Sequence, residues 1–413
     1  MKILMINNFF SPSGGTESLM KTSADILTEK GHEVLFFSSD KKPYIYKDYK
    51  YSEYFSKYID FNGLKGIDKL KYLSRPFYNT ESEHNIRSLL KKIKPDIAHV
   101  HNIMYHLTPS VLKACIEEKI PVIMTLHDIR LICPSGTLML NGKKYCHDEL
   151  CINGNPLHCI TNRCKNRNFA ASVITAGEFM FNRTHKLYKK VDHIICPSQA
   201  VYELAARSGI DRAKMSVINN YLDDSYFEKP IEYNEGKYFL YTGRLVREKG
   251  VEDLIHAISK LPENIQLHIA GTGSQEEFLR NLAGKLGLDN VKFLGFISVK
   301  QLEEEYKNCK ALLMPSNWFE VFGLTAIEAF SYGKPVIAAN IGGITEIVED
   351  KINGLFFKAG DSKEIAEKVD FIENNPDEAI RMGKNGRYKA ERIYNSQIHY
   401  EKLLKVYENQ LSA

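Results

Sequence analysis

The residues best suited to chemistry lie in the second half of the chain, where charged side chains border glycine-bearing loops. In the run 243–250 (GRLVREKG), Arg244 and Lys249 flank a short loop directly after an apolar run that predicts a strand. A planar guanidinium and an ammonium at the end of a strand could together neutralise a diphosphate. An ordinary solvated charged loop is the alternative that this segment leaves open.

A pair of carboxylates follows in the run 318–329 (WFEVFGLTAIEA). If Gly323 marks the turn into a helix, Glu320 lies in the loop and Glu328 about one turn inside the helix. Two carboxylates at different heights could accept hydrogen bonds from two sets of hydroxyls, for example on a sugar and on a ribose. Acidic pairs at this spacing are common by chance. The backbone amides at the predicted helix start, those of Phe322, Gly323 and Leu324, would suit anionic oxygens.

Two more glycine pairs come after predicted strands. Gly14 and Gly15 precede a helical pattern near the N-terminus, and Gly271 and Gly273 do so in the second half. Glycines let backbone amides approach an anion closely, although plain strand-to-helix turns favour them too. Neither pair belongs to a full Gly-x-Gly-x-x-Gly fingerprint, which argues against a dehydrogenase.

Apolar runs that alternate with amphipathic stretches are expected to hold these loops. Such alternation is typical of an α/β fold with parallel sheets, and 413 residues are more than one hydrophobic core usually serves. Strands are predicted at 2–6, 33–37, 97–100, 122–126 and 193–196, then at 238–241, 266–270, 291–294, 311–314, 335–338 and 354–357. Helices are predicted at 17–30, 85–94, 251–260, 275–286, 299–308 and 362–373.

The irregular polar stretch 219–237 separates the two series of strands. We therefore predict a first domain at 1–219, a second at 220–391, and a helical tail at 392–413 that packs back on the first domain. Two stretches interrupt the first domain near 41–75 and 133–164. Because ligands bind beyond the carboxyl ends of strands in open α/β sheets, both insertions could shape a binding site.

Composition is that of an ordinary globular protein, with 44% hydrophobic and 26% charged residues. A net charge of +4 is too small to indicate nucleic acid as a partner, and none is expected. No run is apolar enough to span a bilayer, and the apolar N-terminus is too short for a signal peptide. We therefore expect a cytoplasmic protein whose eight cysteines are mostly reduced thiols unless they bind metal.

The second insertion gathers five cysteines among Gly, Asn and Pro. Thiolates in a small loop without a core of its own suit tetrahedral zinc. The spacing is looser than paired Cys-x-x-Cys, so unligated thiols or a disulfide are open alternatives. The hypothesis is a structural zinc site formed by Cys133, Cys146, Cys151 and Cys164.

The first insertion interleaves basic and aromatic residues. Such a mixture suits the surface of an anionic membrane, which would place the protein at the inner face of the cell membrane and near a lipid-linked acceptor. An ordinary solvated charged surface is the alternative. The residues are Lys41, Lys42, Lys47, Lys50, Lys57, Lys65, Lys69 and Lys71 with Tyr44, Tyr46, Tyr49, Tyr51, Tyr54 and Tyr58.

Taken in order, these motifs resemble those of the retaining glycosyltransferases of family 4 (glycosyl transferases group 1). The resemblance covers nearly the whole chain except the insertions. It implies the GT-B fold, in which two Rossmann-like domains with parallel sheets face each other across a cleft. The motifs that carry it are GGTE at 14–17, PDIAHVH at 95–101, TLHD at 125–128, PS at 197–198, GRLVREKG at 243–250, the two glutamates of 318–329, and GGITE at 342–346.

The resemblance also implies a role for each matching residue. Arg244 and Lys249 would hold the donor diphosphate, and His127 would lie near the donor sugar and the acceptor. Glu320 would bind hydroxyls of the transferred sugar and Glu328 the ribose. Catalysis is thus expected from His127, Glu320, Arg244 and Lys249. Further donor contacts are expected from Gly14, Gly15, Gly271, Gly273, Phe296 (where the nearby backbone would face the base), Phe322, Gly323, Leu324 and Thr325.

The implied reaction moves a hexose-type sugar, with retention of anomeric configuration, from a UDP- or GDP-sugar to a glycan or lipid-linked acceptor. Surface polysaccharide or glycolipid biosynthesis is the expected setting. No divalent metal is expected to be needed, because cationic side chains and helix dipoles would stabilise the leaving diphosphate. Two alternatives stay open, namely a nucleotide-sugar epimerase of the same fold and a non-catalytic subunit that binds a nucleotide sugar.

Overall fold

The computed structural model describes residues 1–11, 14–60, 63, 72, 74–142 and 144–412, which divide into two compact units. The first unit comprises Met1–Gly136, Leu150–Ile218 and His399–Ala413. The second comprises Thr137–Glu149 and Asn219–Ile398. Each unit contains a six-stranded parallel sheet, so the predicted α/β class with two parallel sheets is confirmed.

The strands are, in chain order, β1 (Lys2–Phe9), β2 (Glu33–Ser39), β3 (Ile97–Val100), β4 (Val122–Thr125), β5 (Met139–Leu140), β6 (Lys144–Tyr145), β7 (His193–Cys196), β8 (Met215–Val217), β9 (Tyr238–Thr242), β10 (Leu267–Ala270), β11 (Val291–Gly295), β12 (Cys309–Met314), β13 (Val336–Ala339) and β14 (Gly354–Phe357). The helices span Gly15–Glu29, Thr80–Ile93, Ser110–Glu117, Leu157–Thr161, Phe169–His185, Gln199–Arg207, Ser225–Glu228, Val251–Ile258, Glu276–Lys285, Val299–Asn308, Leu324–Ser331, Ile344–Ile347, Ser362–Asn374, Pro376–Ile393 and Ser396–Leu411. Among these described helices, none has the length and apolar character that crossing a membrane requires.

The sheet of the first unit has the strand order β2-β1-β3-β4-β7-β8. Residues 3–6 of β1 are fully buried because this central strand is covered on both faces. The last helix contributes to the same unit, where the hydroxyl of Tyr407 lies 2.6 Å from Nδ1 of His99 on β3. Strand order reverses between β1 and β3, and the loops after these two strands therefore form the expected ligand edge.

The sheet of the second unit has the order β11-β10-β9-β12-β13-β14, which is the order of a Rossmann sheet. Its strand order reverses between β9 and β12. The loops that follow these two strands carry Lys249 and Glu320, respectively. The sheet topology by itself therefore brings the basic loop and the acidic loop to one crevice within this unit.

Several elements differ from the sequence prediction. The short strand β8 was not predicted, because three residues are too few to show a periodic pattern. The helix Phe169–His185 was not predicted either. The hairpin of β5 and β6 lies in the second unit, although its sequence was assigned with the first domain. It is held there by the amide of Phe319, which donates to the carbonyl of Thr137 (3.4 Å), and by Tyr145, which packs against the second unit's core.

Candidate active site

The second unit's site is centred on an ion pair between the two loops at the switch point. The ammonium of Lys249 lies 2.6 Å from Oε1 of Glu320, and it also lies 5.1 Å from the centre of the Trp318 ring. The two partners are 71 positions apart in sequence. The hydroxyl of Ser316 donates to the same carboxylate oxygen. The structure therefore joins two residues to which the sequence prediction gave separate tasks.

This arrangement sets the charge of Glu320. Only 6% of the residue is exposed, and burial alone would raise its pKa. The charge of Lys249 and the hydrogen bonds from Lys249 and Ser316 outweigh that effect, so the pKa is lowered. Glu320 is consequently ionised at neutral pH and has a cation already beside it.

Close backbone contacts hold the loops around the ion pair. Gly342 adopts φ +66°, and a Cβ at this position would lie 2.4 Å from the carbonyl oxygen of Glu320. That same carbonyl accepts a hydrogen bond from the amide of Gly343. A Cβ at Gly271 would lie 1.9 Å from the carbonyl oxygen of Gly243. Both positions therefore require glycine, because any side chain would collide with the backbone of the neighbouring loop.

The helix Leu324–Ser331 begins in this region without a side-chain cap. The amide of Ala326 donates to the carbonyl of Gly323 (3.0 Å), while those of Leu324 and Thr325 keep their hydrogen-bonding capacity at the positive end of the helix dipole. Gly323 precedes the helix at φ +130°, and a side chain there would collide with Ile344. The ring of Phe322 is buried in the core against Tyr394, so only the backbone of this residue is available to a ligand.

Glu328 lies one turn inside the same helix. Its carboxylate accepts a hydrogen bond from the buried hydroxyl of Tyr306 (2.7 Å), and the Tyr306 ring stacks on Tyr332. Burial raises the pKa of Glu328, while the Tyr306 hydroxyl opposes that rise. The structure thus gives Glu328 a partner of its own and does not pair it with Lys249.

Two other predicted donor contacts are exposed side chains. The Phe296 ring is 86% exposed beside Gly295, whose carbonyl accepts from the amide of Gly271. Arg244 is also exposed, and its carbonyl accepts from the hydroxyl of Tyr241. An uncovered aromatic ring and an uncovered guanidinium at the carboxyl edge of one sheet are suited to a base and a phosphate, respectively.

In the first unit, β3 and the loops after β3 and β4 bring three histidine rings into a stack. The rings of His99 and His101 lie 4.4 Å apart, and those of His101 and His127 lie 5.1 Å apart. Nε2 of His127 lies 2.8 Å from Nδ1 of His101. Burial, and next the charge of His399, lower the pKa of His127 to about 4. His127 is therefore neutral at physiological pH and can exchange a proton or a hydrogen bond but supplies no positive charge.

The N-terminal glycines open the helix Gly15–Glu29, which also has no side-chain cap. Ser13, which precedes them, lies outside the described residues. The carboxylate of Glu17 already occupies space at this helix start, where a Cβ on Gly14 would lie 2.4 Å from one of its oxygens. The other oxygen accepts from Asn7 (3.2 Å). The phosphate contact of Gly14 and Gly15 stays a prediction.

The zinc hypothesis for Cys133, Cys146, Cys151 and Cys164 stays a prediction. Across the described residues, which include all eight cysteines, no three His, Cys, Asp or Glu side chains are grouped so as to hold a metal ion, and no disulfide is formed. Cys146 belongs to the second unit's hairpin, where its amide donates to the carbonyl of Leu138. The buried thiol of Cys159 interacts with that of Cys164 and lies near those of Cys133 and Cys151, and these neighbours together with burial raise its pKa.

The Lys- and Tyr-rich stretch is less aromatic at its surface than predicted. Tyr44, Tyr46 and Tyr49 pack against the first unit's core, where each lies within 6 Å of the buried Phe10 ring. These rings are therefore structural. Lys65, Lys69 and Lys71 lie outside the described residues. Contact with an anionic membrane stays a prediction.

Comparison with known families identifies the class of protein. Residues 13–226 match the family model described as Glycosyltransferase Family 4, and residues 223–389 match that described as Glycosyl transferases group 1. The chain therefore belongs to the family-4 glycosyltransferases, as its motifs predicted, and it is a glycosyltransferase enzyme.

Individual relatives agree with this assignment. An uncharacterised glycosyltransferase of Methanocaldococcus jannaschii is 26% identical over 90% of this chain and 89% of its own length. A capsular polysaccharide biosynthesis glycosyltransferase of Staphylococcus aureus is 29% identical over 50% of this chain and 54% of its own. Among solved structures, HepE of Anabaena in complex with UDP superposes with a TM-score of 0.68 at 20% identity, covering 99% of this chain and all of that one. Sucrose-phosphate synthase of Thermosynechococcus elongatus gives 0.72 at 20% identity, with 100% and 99% covered. These likenesses confirm the predicted GT-B fold class.

The sequence prediction missed several residues that support these sites. Ser316 and Tyr306 hold the two glutamates, and His101 holds His127. His101 stands two positions after His99 on a strand pattern, which places both rings on one face, and this spacing could have indicated the stack. Nothing in the local sequence pattern marks Ser316 or Tyr306.

Proposed function

We propose that this enzyme transfers a hexose-type sugar, with retention of anomeric configuration, from a UDP- or GDP-sugar to a glycan or lipid-linked acceptor in surface polysaccharide or glycolipid biosynthesis. The observation that carries the proposal is the Lys249–Glu320 ion pair at the switch point of the second unit's sheet. The ammonium of Lys249, which would bind the diphosphate, lies 2.6 Å from the carboxylate of Glu320, which would bind sugar hydroxyls.

The charge distribution suits the departure of a nucleoside diphosphate. As negative charge grows on the leaving oxygen, the ammonium of Lys249 and the first amides of the helix Leu324–Ser331 would stabilise it. Arg244 would add a second cation from the exposed end of the β9 loop. Glu320 would hold the sugar hydroxyls that are brought beside Lys249. These interactions use residues of the second unit alone.

The remaining donor contacts follow from exposure and hydrogen bonding. The exposed ring of Phe296 offers a face for the base. Glu328, fixed by Tyr306, offers an acceptor for ribose hydroxyls. In the first unit, neutral His127 would contact the donor sugar or the attacking hydroxyl. The departing phosphate would take the proton of that hydroxyl.

The relatives support the biological setting. Besides the capsular enzyme of S. aureus, the similar proteins include an O-antigen chain mannosyltransferase of Escherichia coli and the lipopolysaccharide outer core galactosyltransferase WaaB. HepE has been crystallised with UDP-glucose, which favours a uridine donor over a guanosine donor here. All of these relatives act on or bind nucleotide sugars or surface glycans according to their names.

A panel of nucleotide sugars tests the proposal. UDP-, GDP- and ADP-linked hexoses would be compared by thermal shift, and mass spectrometry would then follow product formation with candidate acceptors. One donor should raise the melting temperature and yield a product heavier by one hexose, whose anomeric proton coupling reports the configuration. Release of an altered free nucleotide sugar without an acceptor would instead identify an epimerase. Inversion at the anomeric carbon would contradict the retaining mechanism.

A further inference from the structure

The first unit contains a cavity of about 560 Å³ that the proposed donor site does not use. It is lined by one face of the helix Phe169–His185, by the segment 186–194, and by the loop between the helix Gln199–Arg207 and β8. A cavity of this size is typical of small-molecule sites in proteins. Its apolar wall includes Phe179, Ile194 and Ile210.

Two buried polar side chains in the lining have unsatisfied oxygens. Glu178 is 5% exposed and Asn182 is 9% exposed. Neither Oε1 of Glu178 nor Oδ1 of Asn182 has a hydrogen-bond partner among the described residues. Leaving a buried acceptor unpaired is unfavourable, so two of them one helical turn apart indicate that donors arrive from outside the chain.

Basic side chains outnumber acidic ones around this cavity. The lining contains five basic residues and two acidic ones, Glu178 and Asp211. Burial raises the pKa of Glu178 to about 7, although the nearby charges of Arg130 and Lys165 oppose that rise. Glu178 is thus readily protonated, which strengthens the excess of positive charge. The basic residues are Arg130, Arg183, Lys186, Lys189 and Lys214.

The cavity adjoins the pocket of His127. Met104 and Leu131 line both the large cavity and the small pocket that contains His101, His127 and Asp128. Arg130 joins the two as well, because its amide donates to Asp128 (2.9 Å) while its side chain lines the cavity. A ligand in the cavity could therefore extend a hydroxyl toward His127 without leaving the first unit.

We propose that this cavity binds the part of the acceptor remote from the reacting hydroxyl, and that this part is a sugar unit bearing an anionic group. Its hydroxyls donate to Glu178 and Asn182, its phosphate or carboxylate contacts the basic rim, and its C–H face packs on Phe179. The inference rests on the proposed function and adds the chemical class of the acceptor. The same chemistry occurs in a phosphate-linked sugar and in a uronic acid.

Binding of small probes to the full chain tests the proposal. UDP or GDP, whichever raises the melting temperature, is first added to saturation so that the donor site is occupied. Glucose 1-phosphate, glucuronate and glucose are then titrated and followed by ligand-observed NMR. At least one anionic probe should bind about tenfold more tightly than glucose. A preference for glucose 1-phosphate indicates a phosphate-linked acceptor, and a preference for glucuronate indicates a uronic acid.

Volume-matched variants separate a binding role from a structural one. Asn182→Leu and Glu178→Met should each weaken the bound anionic probe about tenfold or more. Glu178→Met should also leave the melting temperature unchanged or higher, since it removes an uncompensated buried carboxyl. Lys190→Ala, an exposed neighbour outside the lining, is the matched control and should bind as the parent does.

Two results would overturn the inference. One is the absence of probe binding to the nucleotide-saturated protein, and the other is unchanged probe affinity in both Asn182→Leu and Glu178→Met. Failure of every nucleotide to bind would instead count against the proposed donor site. The two failures are distinguishable because the probes are also titrated into the nucleotide-free protein, where weaker binding to Asn182→Leu and Glu178→Met assigns the bound probe to the cavity.

Discussion

Glu320 in the second unit and Glu178 in the first are buried to the same degree but have opposite surroundings. They are 6% and 5% exposed, respectively. Lys249 and Ser316 pair with Glu320 and lower its pKa, whereas Oε1 of Glu178 has no described partner and burial raises the pKa of that residue to about 7. Burial alone therefore does not decide the charge of a carboxyl group in this protein.

The difference shows how each site is prepared for its ligand. At Glu320 the chain supplies both charges, so a diphosphate and sugar hydroxyls must share or replace contacts that already exist. At Glu178 a buried oxygen has no donor among the described residues, so a ligand completes the hydrogen bonding. The charges around Glu320 are thus preorganised to stabilise a reaction. The unpaired oxygen of Glu178 instead favours recognition of a bound group.

The largest expected effect is the loss of turnover when the Lys249–Glu320 ion pair is removed. Lys249→Ala removes the cation that would stabilise the leaving diphosphate, and kcat should fall about 100- to 1,000-fold. The matched control is Lys310→Ala, because Lys310 forms an ion pair of 2.7 Å with Glu373 at similar exposure in the same unit. Steady-state assays of both variants measure the difference. Equal turnover in the two would refute the assignment of Lys249.

A second expected difference concerns folding stability. Lys249→Ala leaves the charge of Glu320 buried without its cation, which should lower the free energy of unfolding by about 3 kcal/mol. Glu178→Met should instead maintain or raise it, since no ion pair is lost. Urea unfolding at pH 7 of both variants and the parent gives the comparison. A loss of stability in Glu178→Met would mean that Glu178 is structural.

The two carboxyls should also respond to pH with opposite signs. Because folding raises the pKa of Glu178 from 4.5 to about 7, its contribution to stability is full below pH 4.5 and is lost as the pH rises through 7. The contribution of Glu320, whose pKa is lowered, is present above pH 4.5 and is lost in acid. Asp128, Arg130 and Lys165 are the charges that face Glu178.

Unfolding measured from pH 4.5 to 8 should therefore show a decline of roughly 3 kcal/mol in the parent that Glu178→Gln lacks. The comparison uses the difference between the two proteins, so that other titrating groups cancel. Parallel pH profiles would show that Glu178 titrates near its ordinary value.

The smallest predicted effect is on nucleotide affinity and comes from the exposed Phe296 in the second unit. Phe296→Ala should weaken nucleotide binding about fivefold, the loss expected for one stacking contact, without changing the stability of the free protein. Val299→Ala is the control because its side chain is similarly exposed, at 79%. Calorimetric titration with the nucleotide measures both. Unchanged affinity in Phe296→Ala would place the base elsewhere.

The sequence predicted the sheets better than it predicted the contacts between loops. Apolar runs revealed the long strands because a strand buried on both faces is continuously apolar. The ion pair of Lys249 with Glu320 joins loops 71 positions apart, and no local pattern encodes it. The order of the strands, which brings these loops together, became known only from the fold.

Glu178 and Asn182 escaped sequence analysis for a different reason. They lie on a helix whose other residues are mostly apolar, where a lone carboxyl and a lone amide look like ordinary surface positions. Only the burial of that helix face shows that their oxygens are enclosed. Among the cysteines of the second insertion, the tight spacing in sequence did not reveal that Cys146 belongs to a hairpin of the other unit.

That hairpin has a consequence for exchanging parts between related enzymes. The chain passes from one unit to the other at 136–137, 149–150, 218–219 and 398–399, so neither unit is one continuous segment. A chimera joined only at residue 218 would receive the 137–149 hairpin from one parent and Phe319, its backbone partner, from the other. Transplanting the second unit intact therefore requires grafting 137–149 along with 219–398, while retaining the host's own C-terminal residues from His399 onward.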